Sequence, residues 1–507
     1  MAKHTVHVIG IGGTGMRCIE SMIHLCAMGM YDDTEVNILA LDTDIANGNF
    51  KRVKELVQNY NAVNGGVPRT DTFFSAQINY HEFSPKYSEN TTFDKIAKYD
   101  LARKRAIGSD TRCRESDILD LFLTPEVRDM SLQHGYRAQT QMGSMLMYHA
   151  IIEEANRAAE GGVRSELKTF LSGLTQGTDH RAFIFGSVFG GTGASSIPIL
   201  PHALNVAVRI LFNEEMDILK GNRYGSVVLT NYFSFDKPNK QNEVVADSAK
   251  FAINSQAALM FYASDPTVQQ VYDRLYMIGR EKSEPLPKGT ASETGGEKQA
   301  NPADYIEMLA AFAAYDFFAE CDKEKPFERA GDESKFYYMQ AGDEKRLDFN
   351  NFCSEPQKFK EKFGTFVAAA MTNSRSDFLR QMANMYLRSI KENEELKPLN
   401  DFMNRFYDAA EHSGWAQELY DSTHGNGFLL NDAVFDKGIY VRKKKYNKDF
   451  FCGDNPESFS ASSLFGDAIF DKVKNTFAKE TDASKDETIA HLMERTYAAL
   501  HKLYFNN

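Results

Sequence analysis

Thr5-Val6-His7-Val8-Ile9 runs directly into Gly10-Ile11-Gly12-Gly13-Thr14-Gly15, and this junction decides the fold. An apolar run stopped by a glycine turn reads as a buried parallel strand. Residues 16–28 read as its crossover helix. Val36-Asn37-Ile38-Leu39-Ala40-Leu41 is the second strand, and it ends in Asp42-Thr43-Asp44. Strand, helix, strand is a βαβ unit, so the chain predicts an α/β fold with a Rossmann-like parallel sheet and helices on both faces. The glycines let backbone N–H groups approach an anion, and the dipole of the following helix favours negative charge there.

The same pattern recurs. Ala182-Phe183-Ile184-Phe185-Gly186-Ser187-Val188 leads into Gly190-Gly191-Thr192-Gly193-Ala194-Ser195, followed again by a helix-like run. One such turn is a common accident of α/β chains. Two in one domain point to a nucleotide whose phosphates are held from two sides. Neither turn contains a Gly-Lys-Ser/Thr sequence, which excludes a P-loop.

Composition bounds the rest. A chain of 507 residues is too long for one ordinary core, and its 42% hydrophobic and 25% charged content is that of a globular protein. A net charge of -12 argues against a general nucleic-acid binder. Cys18, Cys26, Cys113, Cys321, Cys353 and Cys452 have no metal-site or redox spacing and read as free thiols. No signal peptide and no bilayer-length apolar run is seen, so a cytoplasmic protein without a membrane anchor is expected.

Further along, a helix is predicted over residues 144–159, a strand over Ser226-Val227-Val228-Leu229-Thr230, a helix over 243–262 and a strand over 271–279. Residues 281–300, rich in proline, glycine and charge, read as a mobile loop. Asn301-Pro302 then reads as the N-cap and first-turn proline of a helix apolar nearly all round, hence buried. Beyond residue 355 the pattern is mostly helical. Residues 45–130 resist assignment.

In this order the motifs resemble those of the tubulin/FtsZ superfamily, most closely its divergent bacterial tubulin-like members, over roughly residues 5–280. Gly190-Gly191-Thr192-Gly193 is similar to the family's phosphate-binding signature, with Ser195 where that signature usually has glycine. The first turn, with Gly12, Gly13, Thr14 and Gly15, resembles the initial phosphate contact. Asp42-Thr43-Asp44 resembles the segment after the second strand. Gly135-Tyr136-Arg137-Ala138 with Gly143 resembles the turn over the terminal phosphate, and Thr230-Asn231-Tyr232-Phe233, with Asn231, resembles the loop near the ribose.

The resemblance implies a nucleotide-binding domain over 1–300, a buried central helix over 301–322 and a divergent, largely helical C-terminal region over 323–507. It implies GTP or GDP with Mg²⁺, and head-to-tail filaments in which GTP is hydrolysed at the subunit interface. Thr14, Thr192 and Ser195 are candidate hydroxyls, and Ala194 belongs to the same turn. Asp42 and Asp44 lie near phosphates or metal on this reading. In a dinucleotide enzyme Asp42 holds a ribose, and the plain alternative is an ordinary turn aspartate.

Asn301 is a candidate reader of base edges or simply a cap, and Tyr305 a stacking ring or a core aromatic. Leu347-Asp348-Phe349-Asn350-Asn351-Phe352 resembles the family's hydrolysis segment. Asp348 matches the first acid, while Asn351 replaces the second with an amide that orients water but cannot act as a base. Asp304 and Glu307 are substitutes. Arg442-Lys443-Lys444-Lys445 reads as a solvated edge or a dock for an acidic protein partner. Two other readings stay open: a nucleotide-binding scaffold or switch that does not polymerise, and an NAD(P)-dependent oxidoreductase resting on the first turn plus Asp42.

Overall fold

The computed structural model describes residues 4–96, 123–280, 283–286, 296–319, 335–341, 347–348, 353–376, 378–386, 393–408, 411, 413–423, 428–429, 475 and 488–504, apart from 45, 134, 137, 138, 162, 163, 177–179, 236–246 and 298. At its centre lies a parallel sheet of seven strands: β1 His4–Ile11, β2 Thr34–Leu41, β3 Gln77–Phe83, β4 Arg181–Phe185, β5 Arg223–Leu229, β6 Arg274–Arg280 and β7 Lys335–Ala341. Their order is β3-β2-β1-β4-β5-β6-β7. Val8 is in register with Ile38 on one side and Phe183 on the other.

The strands are apolar on both sides because both sides are covered. Val6 and Val8 join one core, with helix α1 (Gly12–Met28), helix α2 (Gly48–Asn64) and the central helix; Ile9 and Ile11 join another, with helix α3 (Thr140–Ala159) and helix α4 (Leu200–Leu211). The crossover after β1 therefore leaves to one face and the one after β4 to the opposite face. β1 and β4 are neighbours, so a crevice opens between their C-terminal ends. Such a switch point is where open α/β sheets bind ligands.

The central helix, α5, spans Tyr305–Ala319, and Ile306, Met308, Leu309 and Phe312 are fully buried in it. Helices α6 (Pro356–Ser376), α7 (Asn393–Phe406), α8 (Trp415–Ser422) and α9 (Ile489–Tyr504) add Phe363, Phe402, Trp415 and Leu492 to the core that α1 occupies.

The structure revises several sequence boundaries. α1 starts at Gly12, not at residue 16, so the glycine turn is itself the first turn of the helix. α5 starts at Tyr305, and Asn301 does not cap it. Asp304 does: its Oδ1 accepts from the Ile306 N–H at 2.9 Å, and Glu307 Oε2 accepts from the Asp304 N–H at 3.0 Å. This is a reciprocal capping box. The strand expected from residue 271 begins at Arg274, after a short helix Pro266–Val271. The unassigned stretch holds α2 and β3. Arg103-Lys104-Arg105, Arg137, Ala138, Asn351 and the basic run at 442–445 lie outside the described residues.

Candidate functional site

Four segments meet at the β1/β4 crevice. Gly12 has φ +66, and a Cβ built on it would stand 3.5 Å from Thr192 Cβ. Gly135 has φ +86, and its Cβ would stand 3.3 Å from Thr43 Oγ1 and 3.7 Å from Thr192 Oγ1. Both conformations favour glycine, and both glycines press their backbones toward Thr192, Gly135 toward Thr43 as well. The first turn, the segment after β2, the 135 turn and the second glycine turn thus surround one spot. α1 opens there without a side-chain cap, which leaves its first-turn N–H groups unclaimed by its own cap residue.

The glycines of the two turns divide by role. A Cβ on Gly15 would meet the Gly10 carbonyl carbon and the Phe185 oxygen at 2.8 Å each, and one on Gly193 would meet the Ser187 oxygen at 2.6 Å. These two allow backbone to pack on backbone. Gly13, Thr14, Gly190, Gly191 and Thr192 are only part-buried and lie along the crevice. Ser195 is fully buried; its hydroxyl donates to the Thr192 carbonyl at 3.0 Å, and its carbonyl accepts from the Ser144 hydroxyl at 2.7 Å. Its hydroxyl is spent on the packing of the turn. The Ala194 carbonyl accepts from the Tyr262 hydroxyl at 3.4 Å.

Asp42 and Asp44 are both buried, and the Asp44 N–H donates to Asp42 Oδ1 at 3.3 Å. Burial, with the neighbouring Asp44 charge second, pushes the Asp42 carboxyl up to about 7. Asp44 is engaged at both oxygens. Oδ1 accepts from the Ala46 N–H at 3.2 Å and Oδ2 from the Gly296 N–H at 2.6 Å.

Asn301 is buried, and its N–H donates to Asn49 Oδ1 at 3.0 Å. Tyr305 is buried under the Arg280 guanidinium, whose carbon lies 4.3 Å from the ring centroid. Asn231 donates from Nδ2 to Ser283 Oγ at 2.6 Å. Asp348 falls in a two-residue strand paired with Phe428–Leu429, and its side chain lies outside what is described.

Arg17 of α1 and Glu307 of α5, with Tyr232, Phe233, Arg280 and Glu418 among others, line a cavity of about 290 Å³. Arg17 donates from Nε to Glu307 Oε1 at 2.5 Å and from Nη2 to the Tyr232 oxygen at 2.5 Å; the Tyr232 hydroxyl donates to Glu307 Oε1 at 2.6 Å. Burial works against the Arg17 charge, but Glu307 and Tyr232 outweigh it and hold the guanidinium above its ordinary range. Sequence reading passed over Arg17 and noted Tyr232 and Glu307 only in passing. The spacing Asp304-x-x-Glu307 was a legible cap signal; the partnership with Arg17 spans 290 residues and has no local signature.

No family model matches the chain, and no curated protein sequence matches it. Among solved structures it is similar to the TubZ of Clostridium botulinum phage c-st, truncated at its C-terminal tail. The identity is 11% and the TM-score 0.22, over 62% of this chain and 60% of that one. The match thus spans about three fifths of the neighbour's length, and a likeness so slight decides nothing. The class rests on the molecule itself: a mixed α/β protein with a Rossmann-like parallel sheet. Among the described residues no helix is long and apolar enough to cross a membrane.

Proposed function

We propose that this chain is a tubulin-like GTP-binding protein that assembles head to tail into filaments and hydrolyses GTP between subunits. One observation carries the reading. Two glycine turns, on strands β1 and β4 that flank the switch point, converge with Thr43 and Gly135 on one spot. A dinucleotide fold needs only the first turn, so the second favours this reading over an NAD(P)-dependent oxidoreductase.

On this reading, backbone N–H groups of Gly12–Gly15 and Gly190–Gly193 hold the phosphates, with Thr14, Thr43 and Thr192 as hydroxyls. The 290 Å³ cavity beside Arg17, Tyr232 and Glu307 supplies a pocket of suitable chemistry for the base, a role that sequence reading gave to Asn301 and Tyr305. Mg²⁺ takes few protein carboxylates when phosphates complete its shell. Asp42 and Asp44 suit that, and no cluster of three metal-ligating side chains occurs among the described residues. Bound there, the ion would neutralise phosphate charge. Asp348 is the acid proposed to orient water across the interface. A heterologous contact that does not close produces a filament.

A second reading, a nucleotide-binding scaffold or switch, is favoured by one residue: Asn351, which stands where the family has its second acid. GTP turnover measured against protein concentration, with pelleting of the same samples, separates the two. A specific rate that rises with concentration, alongside pelletable polymer, supports the filament. Binding without turnover or polymer at any concentration refutes it in favour of the switch.

A further inference from the structure

The N-terminus of α2 is covered by a short strap, Gly296 and Glu297 with Gln299–Asn301, which leads into the central helix. The clasp is polar and runs both ways. The Gly296 N–H donates to Asp44 Oδ2 at 2.6 Å, and the Gly48 N–H donates to the Gly296 carbonyl at 3.2 Å. The Asn49 N–H donates to the Gln299 carbonyl at 3.0 Å, and Asn47 Nδ2 donates to Gln299 Oε1 at 2.5 Å. The Asn301 N–H donates to Asn49 Oδ1 at 3.0 Å, and Lys51 pairs with Glu297 on the outside. Gly48 is where the strap comes closest: a Cβ there would stand 2.5 Å from the Glu297 carbonyl oxygen.

The closed strap is held and also opposed. Asn49 Nδ2 and Asn301 Oδ1 are buried without a hydrogen-bond partner, and buried polar groups left unsatisfied favour a state in which water reaches them. Asn49 Nδ2 faces the first glycine turn, 3.2 Å from the place a Gly13 side chain would fill. The anchor at Gly296 is the carboxylate of Asp44, next in sequence to Thr43, which stands against Gly135.

We propose that this strap, Gly296, Glu297 and Gln299–Asn301, is a latch on the nucleotide site: Asp44 either holds the Gly296 N–H or turns to a phosphate-bound cation, and loading the site releases the strap ahead of the central helix. This rests on the nucleotide reading above. Turning the Asp44 carboxylate toward a cation in the crevice would draw Oδ2 away from the Gly296 N–H that it now accepts. The same oxygen therefore connects site occupancy to the strap that leads into α5.

Amide hydrogen exchange on the full chain tests this at Gly48, Gly296 and Asn301, with GTP occupancy measured separately by equilibrium dialysis. Without nucleotide, Asp44→Ala and the milder Gln299→Ala should each speed exchange at Gly296 and Asn301 at least tenfold. Saturating the wild type with GTP and Mg²⁺ should speed the same amides at least tenfold, and GTP with EDTA should not. If dialysis shows Mg²⁺ and GTP bound while these amides are unchanged or slower, the latch is wrong and the nucleotide reading stands. If GTP alone opens the strap, the role given to the cation is wrong. If nothing binds, the coupling falls together with the nucleotide reading. If both folded variants exchange like the wild type, the clasp itself is refuted, whatever binds.

Discussion

Asp42→Asn isolates the electrostatic design of the crevice. The Asp42 carboxyl lies at about 7 against an ordinary 3.8, because it is buried and Asp44 is beside it. Between those values the folded chain holds a proton that the unfolded chain has released. Stability is thus fully present below about pH 4, falls as pH rises, and levels off above about 7. At about 1.4 kcal/mol for each unit, the full span is about 4 kcal/mol, and the part falling between about pH 5 and pH 8 is about 2–3 kcal/mol. Asparagine keeps the shape and removes the titration. The ligand-free variant should therefore gain about 2–3 kcal/mol on the wild type between about pH 5 and pH 8. Parallel denaturant titrations at several pH values measure it. A wild-type-to-variant difference that stays constant across that window would refute the argument, because only a proton held by Asp42 makes it vary. Mg²⁺ and GTP should erase much of the gap in the wild type, since binding to the ionised pair releases that proton.

The other predictions concern packing, charge and turnover. Gly193→Ala drives a methyl into the Ser187 backbone and should cost about 1–3 kcal/mol, whereas Gly190→Ala meets only the Ser187 hydroxyl at 3.3 Å and should cost less; thermal midpoints rank the two. Glu307→Leu alone strands a buried guanidinium and should destabilise by about 3–5 kcal/mol, while Arg17→Met with Glu307→Leu should recover most of that loss. A double-mutant cycle reads the coupling, and additive losses would contradict it. Asp348→Ala should abolish GTP turnover and spare GTP binding in a filter assay; a variant that hydrolyses at the wild-type rate removes Asp348 from the proposal.

The legible parts of this fold were those written in short windows. The strands before the two glycine turns announce themselves because both sheet faces are buried, so β1 and β4 read as near-continuous apolar runs. β3 was missed because, among the described residues, it is an edge strand paired only with β2, and Gln77, Asn79, His81 and Glu82 keep it polar. α2 left a signal that went unread: Phe50, Val53, Val57 and Tyr60 recur at helical spacing behind the capping Asn47. The start of α5 was misplaced by Pro302, since Asn-Pro is a stronger local sign than Asp304-x-x-Glu307 and both stand within seven residues. The clasp between Asn47 and Gln299 joins residues 252 apart, so each reads locally as an ordinary surface amide. Only tertiary structure shows that they meet.

A second buried charge group explains how the glycine-turn helix is tied to the C-terminal helices. Arg405 on α7 donates to Glu20 on α1 at 2.6 Å and, through both terminal nitrogens, to Glu418 on α8 at 2.8 and 2.9 Å. Arg52 on α2 reaches Glu20 from the other side at 2.9 Å. Burial opposes the Glu20 charge, but Arg405 and Arg52 outweigh it and hold the carboxyl below its ordinary range. Glu418 also accepts from the Ala303 N–H at 2.7 Å, between the strap and the entry to α5. Apolar contacts such as His24 on Trp415, at 4.6 Å between ring centroids, tolerate sliding because the hydrophobic effect is non-directional. Buried bidentate pairs do not, since a displaced partner leaves a desolvated charge unmatched. α1, α7 and α8 must therefore move together or not at all. The strap meets the crevice through Asp44 and runs on to Ala303, which meets this assembly, and its anchor on Asp44 is a hydrogen bond that ligand can compete for. Opening the strap breaks mostly neutral hydrogen bonds, whereas shearing α1 from Arg405 strands buried charges, and a site that must signal its occupancy would do so along the weaker joint.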